Sequence, residues 1–205
     1  MRMLPVGARA LLVELDGLAE VNALHAEIEL RRRDGRLPAI EEVVPAAGTI
    51  LIDGLADPAA FARDLSGWNV PPAPFAEGRL VEVPTIYDGS DLANVAGHWG
   101  MTIREVIDTH TSASHRVAFC GFAPGFAYIE GLPSGRTVPR HANPRTSVPA
   151  GSVALAGEFT GIYPRSSPGG WQLIGRTDIT LWDPDRAPAA LLTPGTRVRF
   201  VELEP

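Results

Sequence analysis

Beyond residue 115 the chain holds no helical period, and this limits its C-terminal half to a β architecture. Apolar residues recur there in short β-branched or aromatic runs, at 117–120, 152–156, 171–176, 179–182 and 197–201, each interrupted by glycine or proline. Runs of that length at that spacing predict a closed or nearly closed β-barrel rather than a parallel sheet with crossover helices.

The first eighty-odd residues alternate strand and helix signals. Strands are predicted at 9–15, 40–44 and 49–52, and Leu18, Val21, Leu24, His25 and Ile28 fall at helical spacing. Asp57 and Pro58 open a second helix, with a capping side chain and a proline at the first helical position. With a further strand near 79–86, this is the order of a small ferredoxin-like α+β sandwich, although the segment 80–87 reads equally as the last strand of this domain or the first of the next. The segment Val70-Pro71-Pro72-Ala73-Pro74-Phe75 suits neither a helix interior nor a central strand and reads as a linker. The expected organisation is therefore an α+β N-terminal domain over 1–78 and a β-barrel domain over 79–205. Two short helices introduce the barrel, at 91–99 and 102–110, the second opened by the capping box Thr102-Ile103-Arg104-Glu105.

Composition removes several classes of function. The net charge of -6 argues against a nucleic-acid partner, whose phosphates call for Lys and Arg. The basic run Arg31-Arg32-Arg33 is expected to be a solvated helix end, where cations suit the macrodipole. No apolar stretch reaches the roughly 18 to 20 residues that span a bilayer, and no secretory signal is apparent, so no membrane partner and a cytoplasmic location are expected. Cys120 is the single cysteine, which excludes an intrachain disulfide and a cysteine-based zinc cluster. Lysine is absent: all 18 basic residues are arginine. A P-loop lysine, a pyridoxal Schiff base and a biotinyl lysine are therefore excluded within this chain, and no organic cofactor is expected in it. Anions must be met by arginine forks or backbone N–H groups.

The candidate chemistry lies between Gly121 and Thr177. Gly121-Phe122-Ala123-Pro124-Gly125-Phe126 reads either as a ligand-contacting loop or as a tight barrel corner packed by Phe122 and Phe126. The Pro-Arg pairs Pro139-Arg140 and Pro144-Arg145 either pre-organise guanidinium groups for a carboxylate or phosphate, or are surface arginines on an irregular loop. Ser166 and Ser167 precede Gly169-Gly170-Trp171, whose amides could cradle an anion, yet no Gly-x-Ser-x-Gly elbow marks a serine nucleophile. His110 falls on the apolar face of its helix, which suits a core histidine, and the remaining histidines show no metal-ligand spacing. Cys120 reads as a small buried hydrophobe at a strand end.

The ordered series His110-Thr111, Gly121 to Tyr128, Pro139-Arg140, Pro144-Arg145, Val148 to Val153, Gly161 to Pro164, Ser167 to Trp171 and Ile174 to Thr177 resembles the allophanate hydrolase subunit 1 family, which includes the B-type subunit of 5-oxoprolinase and the Kip-type inhibitor of a histidine kinase. The resemblance covers the whole chain and is specific from about 84 to 200. It implies a small α+β domain joined to a cyclophilin-like β-barrel. It also implies a role as one member, inactive alone, of an ATP-dependent complex that opens 5-oxoproline to L-glutamate. Allophanate hydrolase subunit 2 (the C-type subunit of 5-oxoprolinase) and the A-type subunit of 5-oxoprolinase are the implied partners, with ATP, and magnesium beside it, as co-substrate. Kinase inhibition and a urea-linked accessory role are the other functions found in such families. Through the resemblance, His110, Arg140, Arg145 and Arg176 become candidate catalytic residues. Phe122, Pro124, Gly125, Phe126, Ser167, Gly169, Gly170 and Trp171 become candidate substrate or anion contacts. A 5-oxoproline carboxylate would suit Arg140 or Arg145; a phosphate would suit Arg176 or the Gly169-Gly170 amides. His115 departs from the pattern, where such families carry a tyrosine.

Overall fold

The structure, a computed structural model, describes residues 1–72 and 78–204, and the chain divides into two compact units, Met1–Phe75 and Ala76–Pro205. The second half of the proline-rich segment expected to be the linker, 73–75, lies outside the described residues.

In the first unit, strands β1 (Arg2–Val6), β2 (Ala10–Glu14), β3 (Glu42–Pro45) and β4 (Thr49–Asp53) form one antiparallel sheet in the order β1-β2-β4-β3. Strict alternation places Leu11 and Val13 of β2 beside Ile52 and Ile50 of β4, all four buried. Helix α1 (Leu18–Arg33) buries Val21, Leu24 and Ile28 against this core; α2 (Pro58–Ser66) adds Phe61 and Leu65. The Asp57 carboxylate caps α2 by accepting from the Ala60 N–H at 2.8 Å. Periodicity does not reveal β1, which takes the sheet edge beside β2. The strand at 80–85, which would have completed a ferredoxin-like order, pairs instead within the second unit. Arg31 also departs from a solvated helix end: its guanidinium pairs with Glu27 at 2.5 Å and lies 3.8 Å from the Trp68 ring centroid.

The second unit is built on a seven-stranded sheet in the order β12-β9-β10-β7-β6-β13-β5. Its strands are β5 (Leu80–Thr85), β6 (His115–Cys120), β7 (Ala127–Glu130), β9 (Ser152–Ala156), β10 (Phe159–Ile162), β12 (Gln172–Arg176) and β13 (Arg197–Glu202). Only β13 and β5 run parallel. The two edge strands meet at one bridge, where Ile86 and Arg176 exchange both backbone hydrogen bonds at 2.9 Å, so the sheet closes on itself. Closure buries Val83, Ile129, Val153, Leu155, Ile174 and Phe200 inside. Helices α3 (Leu92–Trp99) and α4 (Ile103–Ser112) add Val95, Trp99 and Val106 to the same core. The capping box forms: Glu105 accepts from the Thr102 N–H at 2.8 Å, and the Thr102 hydroxyl accepts from the Glu105 N–H. A separate ribbon pairs β8 (Arg145–Val148) with β11 (Ser167–Gly169).

The strand expected at 179–182 does not form; Trp182 makes only an isolated bridge to Ala190. The backbone there pairs only locally, Leu191 N–H donating to the Leu181 carbonyl at 2.8 Å and Asp183 N–H to the Ala189 carbonyl at 3.0 Å, and the Arg186 guanidinium donates to the carbonyls of Thr180, Leu181 and Ala189 as well. Among the described residues no helix is long and apolar enough to cross a membrane.

Candidate functional site

The turn joining β6 to β7 carries the first part of the site. Phe126 N–H donates to the Ala123 carbonyl at 2.9 Å, closing a turn with Pro124 and Gly125 at its centre. Proline presets the first of those positions and the second takes positive φ, as Gly125 does at 82°. A Cβ at Gly125 would also stand 2.9 Å from that of Trp182. Phe122 has φ of 68°, the one non-glycine residue with positive φ among the described residues, and its side chain is 61% exposed. Left-handed backbone costs a residue like this roughly 1–2 kcal/mol. The turn therefore holds a largely exposed aromatic ring at the rim, where edge-to-face contacts with Phe126 at 5.2 Å and Tyr163 at 6.4 Å offset part of that cost.

Phe126 points inward to an aromatic cluster. Its ring meets Trp171 at 5.4 Å, Tyr163 at 5.6 Å and Tyr128 at 5.2 Å, each nearly edge to face. Gly161 makes the closeness possible, since a Cβ there would stand 2.7 Å from Phe126 Cζ and 2.8 Å from Trp171 Cζ3. Above this cluster lies a cleft of about 80 Å³, walled by Phe122, Phe126, Tyr128, Tyr163 and Trp171 and floored by Pro168, Gly169 and Gly170. Arg140 is its cation, 5.8 Å from the Trp171 ring centroid. Arg140 is exposed and has no salt bridge among the described residues, so its charge faces the cleft uncommitted to a carboxylate. A small cleft with aromatic walls and one such cation suits a small, flat, singly charged anion.

Of the candidates read from sequence, Phe122, Phe126, Arg140, Gly169, Gly170 and Trp171 come together in this cleft. Pro124 and Gly125 shape its turn. Ser167 opens β11 with a buried hydroxyl that has no hydrogen-bond partner among the described residues, while its neighbour Ser166 shares a 2.9 Å hydrogen bond with Ser147. Tyr128 and Tyr163 also line the cleft. Sequence reasoning misses them as contacts, although both stand in motif segments whose aromatic composition is a signal.

The other arginines are placed elsewhere. Arg145 donates to Asp91 Oδ1 at 2.7 Å, and Asp91 is only 6% exposed. Its guanidinium neutralises a buried carboxylate rather than offering a fork to a ligand. Burial alone would raise the Asp91 carboxyl. The Arg145 hydrogen bond, the Leu173 N–H and the His141 imidazole together hold it below the usual carboxylate range. Sequence could not show Asp91, because its partners stand 50 or more residues downstream. Arg176 lines a separate groove of about 420 Å³ together with Glu82 and Asp178, and its guanidinium pairs with Asp88 at 2.9 Å. An arginine already paired with one carboxylate and sharing its groove with two more is a poor host for a phosphate.

His110 lies inside the barrel and is fully buried. Its Nδ1 is 2.7 Å from the Tyr87 hydroxyl and its Nε2 is 3.1 Å from the Thr160 hydroxyl. Burial, with His115 nearby, pushes its pKa well below the ordinary value, so it is neutral. His115 Nε2 donates to the His110 carbonyl at 2.7 Å, which gives an imidazole a structural role at this position. Burial also pushes the Cys120 thiol up to about 11, so it is no nucleophile at neutral pH. Among the described residues no three His, Cys, Asp or Glu side chains gather as a metal site.

Residues 1–192 match the family described as carboxyltransferase domain, subdomain C and D. A protein of Escherichia coli O157:H7, named as the B-type subunit of 5-oxoprolinase, is 39% identical over 204 residues, covering 96% of this chain and 93% of its own length. The crystal structure of TTHA0988 superposes with a TM-score of 0.75 at 36% identity; the match covers 96% of this chain and 40% of that longer one. The fold also recurs in the Kluyveromyces lactis urea amidolyase, at a TM-score of 0.80 and 21% identity, over 98% of this chain and 15% of that enzyme.

Proposed function

Because the chain belongs to the family of the 5-oxoprolinase B-type subunit, we propose that it serves in an ATP-dependent complex opening 5-oxoproline to L-glutamate, and that the aromatic cleft holds the substrate. The observation that carries this reading is Arg140, an exposed guanidinium beside Trp171 with no salt bridge among the described residues. 5-Oxoproline is a small, flat ring with one carboxylate. The ring suits walls made by Phe122, Phe126 and Trp171, and the carboxylate suits the arginine.

Hydrolysis of this lactam is difficult because the amide nitrogen donates into its carbonyl. ATP would supply the activation, its γ-phosphoryl group going to the amide oxygen with release of ADP, so that water can add to the activated carbon and phosphate leaves as the ring opens. With no lysine in the chain, the phosphate-gripping devices built on that residue come from the partners, the A-type and C-type subunits of 5-oxoprolinase. This chain's part is to bind and orient. Arg140 fixes the carboxylate end, the aromatic walls exclude water from the ring face, and the Gly169 and Gly170 backbone offers N–H groups to a developing negative charge.

The test is kinetic. In the reconstituted complex, Arg140→Ala is expected to raise KM for 5-oxoproline by about 10- to 100-fold, the worth of roughly 1.5–3 kcal/mol for a hydrogen bond to a charged group. An unchanged KM with the complex intact would remove Arg140, and the cleft with it, from substrate binding.

A further inference from the structure

Arg140 sits on an irregular loop, yet both of its neighbours are tied down. Gln172 Nε2 donates to the Pro139 carbonyl at 2.9 Å, and His141 N–H donates to the Gly170 carbonyl at 2.7 Å. The loop that carries the cation is thereby fastened to the run that carries Gly169, Gly170 and Trp171. At the centre of this fastening stands Asp91, just before α3. Its Oδ1 accepts from Arg145 at 2.7 Å and lies 3.3 Å from His141 Nε2. Its Oδ2 accepts from the Leu173 N–H at 2.7 Å, and its own N–H donates to the Leu173 carbonyl at 2.9 Å. Arg145, held this way, reaches the Trp171 carbonyl at 3.5 Å.

We propose that Asp91 is a positioning residue of the cleft: by binding Arg145 and the Leu173 backbone, with His141 beside it at 3.3 Å, it sets where Arg140 presents its charge to the substrate. Neither the carboxylate nor its partners line the cleft, but the partners stand beside residues that do: His141 follows Arg140, and Leu173 lies two residues beyond Trp171. A buried anion held by loop 139–145 on one side and by the start of β12 on the other locks those two segments to each other. The proposal rests on the reading of the cleft as the 5-oxoproline site.

A double-mutant cycle in the reconstituted complex tests it, with Asp91→Asn, Arg140→Ala and the double variant. If Asp91 acts through Arg140, Asp91→Asn raises KM for 5-oxoproline about tenfold with kcat little changed, and adds less than about twofold to Arg140→Ala. A residue serving stability alone would lower the amount of assembled complex and leave KM as it was. Should the Asn variant not assemble, Asp91→Glu keeps the charge but moves it by one methylene, and the same non-additive rise is expected. Full additivity, or a wild-type KM in a folded Asp91 variant while Arg140→Ala raises it, overturns the proposal and leaves the cleft reading standing. An Arg140→Ala variant with wild-type KM overturns both.

Discussion

His110 shows one side chain's environment following from its place on a helix. The helical face on which it lies is apolar, and the structure buries the ring completely, with the Tyr87 and Thr160 hydroxyls at its two nitrogens. Folding therefore favours the neutral ring, and its pKa falls below the ordinary 6.5. A histidine lowered on folding contributes stability that is complete above 6.5 and is lost as pH falls below it, because the unfolded chain then binds the proton more readily. His115 and His25, also lowered by burial, act in the same direction. Urea midpoints are thus expected to fall between pH 7 and pH 5, and His110→Gln, which cannot titrate, should flatten part of that slope. A midpoint unchanged over this range would contradict the burial of a neutral His110. Arg145 is the complementary case. Its proline neighbour points to anion recognition, and sequence has no means of showing that Asp91, 54 residues earlier, already supplies the anion.

Elements with their own local signals were legible in the sequence. Helix α1 repeats apolar residues at helical spacing, α2 begins at Asp57-Pro58 and α4 at a capping box, and all three form. The strands β7, β8, β10 and β11 have only three or four residues each, and their pairing depends on partners far along the chain, so periodicity could not reveal them. The run at 179–182 has strand composition but pairs only locally, with 189–191, and is held there by the Arg186 guanidinium. Of the cleft, the segments rich in glycine and aromatic residues, that of Tyr163 included, were visible because their composition is unusual; Asp91 was not, because its importance lies in long-range contacts. The β10 glycine offers a test among the strands. Gly161→Ala should force Phe126 and Trp171 apart and cost about 1–3 kcal/mol, as overpacking of a core does. Chemical denaturation measures it, and a neutral substitution would mean the aromatic cluster has slack that the contacts do not show.

Two units with separate cores share the chain, and the cleft is built entirely from the second. The change in hydrophobic period and the proline-rich run are the sequence features that accompany this division. Closure of the barrel rests on Ile86 and Arg176, which sequence alone could not pair. Among the described residues the cleft offers aromatic walls and a cation but no nucleophile with a base beside it, which fits a chain that positions substrate while partners complete the chemistry. The decisive measurement is ATP-dependent glutamate release from 5-oxoproline by the reconstituted complex, assayed with this chain, without it, and with its Arg140→Ala variant. Turnover is expected only when the chain is present, with a raised KM in the variant. Equal turnover without the chain, with the other subunits folded and assembled, would contradict a role for it in the reaction.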